Sequence, residues 1–307
     1  MGTGLNDDEA TLVATVREFV DKEVRPTVRE VEHANEYPEA WIEQMKRIGI
    51  YGLAVPEEYG GTPVSMPCYV LVTQELARGW MSLAGAMGGH TVVAKLLTLF
   101  GTEEQKQRYL PPMATGELRA TMALTEPGGG SDLQNMTTTA LSDGSDLVVD
   151  GSKTWISNAR RSGLIALLCK TDPAAQPRHT GISVLLVEHG PGLTVSRDLP
   201  KLGYKGVESC ELSFDGYRVP HSAILGGAAG PRLFADDERP RNRPHSGGIA
   251  RVGSGDRGPR RCAGLRAAAR ELRAADLETP VGRQLPGRHG NQTHRRPPAH
   301  PLRRRTL

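Results

Sequence analysis

Aromatic side chains make up only 5% of this 307-residue sequence, and it contains only four cysteines. Cys68, Cys169, Cys210 and Cys262 stand far apart, with no C-x-x-C or zinc-knuckle spacing. That excludes a disulfide scaffold and leaves reduced thiols of a cytosolic protein as the expectation. No apolar run reaches the ~18 to 20 residues of a membrane span. The start, from Met1 to Asp8, has neither a basic stretch nor an apolar one, so secretion and membrane insertion are not expected and a cytoplasmic location is. No His, Cys and Asp group at metal-ligand spacing, and no Ser-His-Asp arrangement suggests a hydrolase.

Lysine is the most unevenly missing residue. The 82 residues from Gly226 onward contain 18 Arg, 7 acids, 9 Pro and 12 Gly, no Lys, and a single aromatic, Phe234. Met1 to Leu225 carries 20 basic against 28 acidic side chains, so the net charge of +3 conceals a body of −8 and a tail of +11. A segment so rich in turn formers and so poor in bulky apolar residues does not build a packed core, and the tail is expected to be irregular.

The body divides by periodicity. Leu12, Val13, Val16, Phe19, Val20 and Val24 fall on one helical face, with Asn6 or Asp7 as N-cap and Pro26 as terminator. A second helix covers Pro38 to Ile48, and helical pattern resumes from Pro67 to Phe100, where Gly85, Gly88 and Gly89 suggest a break or a close crossing. Thr102 and Gln105 form a capping box for a short helix that Pro111 and Pro112 are expected to stop. Beyond Arg119 the pattern changes to short strands at 121–124, 147–149, 154–157, 164–168, 182–187, 193–196 and 210–214, with Asp150-Gly151 as a hairpin signal. Helices followed by strands is the α+β order. The expected organisation is a helical domain at 1–118, a central β domain at 119–227 and a tail at 228–307.

The chemistry is concentrated at Met122-Ala-Leu-Thr-Glu-Pro-Gly-Gly-Gly-Ser-Asp132. Gly128 to Gly130 allow close approach of a ligand to the backbone, and Ser131 adds a hydroxyl, but neither a P-loop nor a dinucleotide fingerprint fits. A bare glycine run is usually a connecting turn. Four other segments accompany it: Gly52 to Gly61, Phe100 to Pro111, Lys153-Thr-Trp-Ile-Ser-Asn-Ala159 and Lys201 to Pro220. Trp155 alone reads as core, His90 as a satisfied helix histidine, and Glu126, before Pro127, as structural.

These five segments, in this order, resemble the acyl-CoA dehydrogenase family of flavoenzymes over Leu5 to Leu225. The resemblance implies FAD as cofactor, an acyl-CoA thioester as substrate and an electron-transfer flavoprotein or similar acceptor as partner. It places Met122, Ala123, Leu124, Thr125 and Gly130 along the flavin, and Ser131 where flavin and acyl chain converge. Trp155, Ile156 and Ser157 become the strand whose indole packs on the ring. The implied reaction is α,β-dehydrogenation with hydride transfer to the flavin, its base being a carboxylate in a C-terminal four-helix domain. No catalytic residue is assigned within this chain. Glu208 and Glu211 are the first places to look for a substitute base.

Past Leu225 the family pattern dissolves. Read one base forward, the codons permitted by Arg270 to Arg296 allow the string ESFGRPIWKHQSVGNYLADMATKLTAA, which resembles the missing helices. Arg232 to Ile249 allow another such string. The expectation is a single-base offset near Gly230 that replaces the catalytic domain by an arginine-rich tail and impairs activity. Two other readings compete. One is a non-catalytic acyl-CoA or partner-binding remnant. The other is a basic nucleic-acid-binding arm, against which stand the lack of interleaved aromatics and of a recognition fold.

Overall fold

A computed structural model describes residues 4–227. The expectations for Cys262 and for the tail at 228–307 lie outside the described residues.

Helix α1 (Asp7–Phe19) is capped by Asn6, whose side chain accepts from the Glu9 N–H (2.8 Å) while the Glu9 carboxylate accepts from the Asn6 N–H (3.3 Å). It runs on through a π-helical turn, Val20–Val24. Helix α2 (Val28–Ala34), which the pattern around Pro26 did not reveal, buries none of its residues. Helices α3 (Glu39–Ile48), α4 (Met66–Gly79) and α5 (Met81–Phe100) complete a first core around Phe19, Trp41, Ile42, Met45, Leu76 and Leu83.

The glycines of α5 do not break it. The chain turns at Trp80 instead, where the backbone is extended, and α5 continues for 20 residues. Gly85 and Gly89 serve close crossing: a Cβ on Gly85 would meet the Tyr204 hydroxyl, and one on Gly89 would touch Thr121. By length and composition alone α5 is apolar enough to cross a membrane, although small and polar residues interrupt its apolar run. Leu83, Ala86 and Met87 are buried in the first core and Val93, Ala94, Leu96 and Leu97 in a second, whereas Met81, Val92 and Leu99 are exposed.

Helix α6 (Glu103–Thr115) starts at the expected Thr102–Gln105 capping box. It does not stop at Pro111 and Pro112 but carries both and ends at Gly116, whose φ is +79°. The two missing N–H donors cost the helix two bonds, and burial of Tyr109, Leu110, Met113 and Ala114 on either side of the prolines offsets that loss.

Seven strands follow: β1 (Ala120–Ala123), β2 (Thr139–Asp143), β3 (Asp146–Ser157), β4 (Leu164–Lys170), β5 (Ile182–Val187), β6 (Leu193–Val195) and β7 (Ser209–Pro220). They form one sheet in the order β1-β4-β2-β3-β7-β6, with β5 added on β4. β4 up to Cys169, and β5 apart from the buried Ser183, are apolar because both their faces are covered. Leu164, Ala166 and Leu168 face the core shared with α5 and α6, and Ile165, Leu167 and Cys169 face the core between strands.

Asp150-Gly151 is not a hairpin turn. The turn lies at Gly144-Ser145, between β2 and β3, and β2 is the strand the sequence reading missed. At Gly151 the register of β3 against β7 slips by one residue, and its φ of +140° carries the chain past Thr138, which leaves no room for a Cβ. The segments expected at 147–149 and 154–157 are therefore one bent strand.

Candidate functional site

The glycine-rich loop leaves β1 and folds back at once. Glu126 and Gly129 exchange both backbone hydrogen bonds, each 3.0 Å, closing a tight turn over Pro127 and Gly128. Pro127 through Asp132 are exposed, and a Cβ on Gly128 or Gly129 would meet nothing within 4 Å. Protein packing therefore does not require glycine there, and the space above these two residues is open to a ligand. Gly130 differs, because a Cβ there would come within 3.0 Å of the Thr125 side chain.

Glu126 points inward and is buried. Its carboxylate accepts from the Thr137 N–H (2.6 Å) and hydroxyl (2.7 Å), the Thr138 N–H (3.0 Å) and the Lys153 ammonium (2.9 Å). Burial alone would raise its pKa, but the hydrogen bonds from Thr138, Lys153 and Thr137 outweigh burial and hold the carboxyl down at about 2. Lys153, fully buried, also donates to the Leu124 carbonyl (3.2 Å). The structural role expected of Glu126 is thus one of internal anchoring.

Trp155 is not a core residue. Its indole is 56% exposed and its φ is +59°, a left-handed conformation that a bulky side chain adopts only under constraint. The constraint is a second slip in β3: Lys153 pairs with Leu212 and Ile156 with Cys210, so Thr154 and Trp155 together face the single residue Glu211. The bulge is tied to the glycine loop, since the Thr154 N–H donates to the Thr125 carbonyl (2.9 Å). Two residues past Trp155, the Ser157 carbonyl accepts from the buried Thr121 hydroxyl (2.7 Å). Asn158, at φ +57°, turns the chain away and is held by its N–H to the Glu208 carbonyl (2.9 Å).

These bonds bring Leu124, Thr125, Gly130, Trp155 and Ser157 into one neighbourhood. Ala123 and Ile156 bury their side chains in the strand core, so only their backbone can meet a ligand, while Met122 and Leu124 are partly buried against the helix-side core. Ser131 is exposed at the tip of the loop. Glu211 is exposed across from the bulge, whereas Glu208 is buried, its pKa raised by burial against the nearby Arg161 and Arg160. Sequence reasoning did not find Thr121, Thr137, Thr138, Thr154 or Lys153, whose polar side chains and amides work from beneath the surface. Lys153 lies in a strand that also carries Asp146, Asp150, Ser152 and Thr154, so its charge alone gave no signal of burial. Among the described residues no three His, Cys, Asp or Glu side chains gather as a metal site.

The arrangement presents an exposed indole, an open glycine edge and a free-standing hydroxyl on a rigid two-strand base. Such a surface suits a flat heteroaromatic group, which stacks on the indole while backbone donors address its polar rim.

Comparison with known proteins gives a consistent result. Residues 6–117 match the family model for the acyl-CoA dehydrogenase N-terminal domain, and residues 121–217 that for the acyl-CoA dehydrogenase middle domain. Over 228 residues the chain is 34% identical to a mitochondrial isovaleryl-CoA dehydrogenase of Pongo abelii, covering 73% of this chain and 54% of the relative. It is 35% identical over 224 residues to an acyl-CoA dehydrogenase of Bacillus subtilis, covering 72% and 59%. Among solved structures, an acyl-CoA dehydrogenase from Geobacillus kaustophilus superposes with a TM-score of 0.70 at 38% identity, covering 74% of this chain and 60% of that one. One from Bacillus anthracis, complexed with FAD, gives 0.66 at 30% identity, covering 74% and 39%. The chain spans about half the length of the curated relatives it matches.

Proposed function

Because the chain belongs to the acyl-CoA dehydrogenase family, we propose that residues 4–227 carry the FAD-facing half of an enzyme that dehydrogenates an acyl-CoA thioester. The observation that supports this reading is Trp155, held in a left-handed bulge with most of its indole outside the protein, beside glycines whose Cβ positions are empty. A strand that only needed a core residue there would not adopt that conformation.

The residues present fit a flavin. Trp155 would cover one side of the ring and exclude water from it. The backbone of Met122 to Thr125 and the Thr125 hydroxyl would address its polar edge, with Ile156 and Ser157 continuing that edge. Gly128, Gly129 and Gly130 let the chain pass close to a bulky ligand, and Ser131 would orient the thioester end of the substrate. When bound, FAD supplies the hydride acceptor for oxidation at the β-carbon. An electron-transfer flavoprotein or similar carrier is the proposed acceptor from the reduced protein.

Removal of the α-proton needs a carboxylate beside the substrate, with hydrogen bonds to the thioester carbonyl to stabilise the developing enolate charge. We place that base in the part of the complete relatives that follows the segment matching this chain up to Gly227, and propose that this reading frame, offset near Gly230, does not encode it. The expected state is a flavin-binding chain with negligible turnover. The visible spectrum of the purified protein, with and without an acyl-CoA, tests both parts. A flavin band that acyl-CoA does not bleach agrees with the proposal. Failure to bind added FAD refutes the cofactor assignment, and turnover equal to that of a complete relative refutes the impairment.

A further inference from the structure

We propose that the buried Glu126–Lys153 pair is a positioning element that sets the ligand-facing surface before any ligand arrives, holding the glycine loop and the indole-bearing bulge from one internal point. The inference rests on the reading of that surface as flavin-facing and adds the residues that shape it. Four donors converge on Glu126, two from Thr137, one from Thr138 and one from Lys153, and Lys153 reaches onward to the Leu124 carbonyl. The contacts end at or near the two ends of the glycine loop and the start of the indole-bearing bulge. Leu124 precedes Thr125, Glu126 opens the glycine turn, Thr137 and Thr138 close the loop, and Lys153 stands two residues before Trp155.

The pair joins segments far apart in sequence. Without it, the exposed stretch from Pro127 to Asp132 would keep the Glu126–Gly129 turn and the Thr154 N–H to Thr125 carbonyl bond, and lose the buried side-chain tether from Glu126 to Lys153 of β3. Buried ion pairs are poor devices for stability, because apolar residues of similar volume do as well or better. Apolar replacements here would leave the Thr137 and Thr138 amides and the Leu124 carbonyl without their partners. What the charged pair supplies, and an apolar pair does not, is a fixed direction for three backbone segments.

The test compares the full chain with Lys153→Met, with the milder Glu126→Gln, and with the double variant Lys153→Met, Glu126→Leu. Amide exchange at Thr137, Thr138 and Thr154 reads the tether. Acrylamide quenching reads the indole, because Trp41 and Trp80 are buried and Trp155 is exposed. Added FAD reads affinity. In the single variants exchange at those three amides rises about tenfold or more, the Trp155 quenching changes, and amides of β4 and β5 keep their protection; FAD affinity falls by a similar factor. The double variant shows the same loss of loop protection and affinity as the single variants. Unchanged exchange in both single variants overturns the inference, as does recovery of loop protection together with stability in the double variant. If the unaltered chain binds no FAD, the cofactor reading fails by itself, and the exchange and quenching results still decide whether the pair positions the surface.

Discussion

The Tyr204 hydroxyl occupies the position where Gly85 would carry a Cβ, 1.6 Å from its ideal place. Tyr204 itself has a φ of +63° and belongs to the loop that joins β6 to β7, so this contact seats a strand-side loop directly on α5. Gly85→Ala is expected to push the ring aside and lower stability by about 1 to 3 kcal/mol. The midpoint of chemical denaturation measures it, and Tyr204→Leu in the same background should recover most of the loss.

His90 gives a pH dependence of defined sign. It is buried, with Nε2 3.2 Å from the Tyr51 carbonyl, and burial lowers its pKa from 6.5 to about 4. The unfolded chain therefore binds the proton first as pH falls, and stability drops between pH 6.5 and 4, by up to about 3 kcal/mol. Glu126 acts in a lower window, its stabilisation being present above pH 4.5 and lost as pH falls toward 2. Denaturation midpoints from pH 7 to 4.5 should decline in the wild type and much less in His90→Gln, which keeps a donor for Tyr51.

Thr121→Val keeps the shape of a buried side chain and removes the 2.7 Å bond to the Ser157 carbonyl. A loss of about 1 to 2 kcal/mol is expected in urea denaturation. On the cofactor reading, affinity for FAD falls as well, because Ser157 is no longer held against β1.

Trp155→Gly separates conformational strain from binding. Glycine takes a φ of +59° without the steric cost that tryptophan bears there, of order 1 kcal/mol. Little buried area is lost because the indole is mostly exposed, so thermal stability should stay level or rise. Flavin affinity, followed by quenching of FAD fluorescence, should drop by about tenfold or more.

Periodicity made most of the helical half legible, because amphipathic patterns such as Val13, Val16 and Val20 record which face is buried. It failed where tertiary packing outweighed local preference, at Pro111 and Pro112 inside α6 and at the glycines inside α5. Asp150-Gly151 carried the right chemistry for a sharp backbone change, but a bulge and a hairpin turn use the same residues, and only the pairing partner distinguishes them. At the candidate site, the glycine run and Trp155 stood out by composition, whereas the supports beneath them did not. Thr121, Thr138 and Lys153 matter through what they touch across the sheet, and a lone threonine or lysine in a strand announces nothing.

The helix α5 is a common wall. Its first half completes the helical core through Leu83 and Met87, and its second half roofs the sheet through Val93, Leu96 and Leu97. A cut or graft that treats the helical and strand parts as interchangeable modules would therefore strip an apolar lining from whichever part went without that wall. The smallest piece of this architecture that can be moved intact into another protein is the pair together, with both rooms and the wall between them.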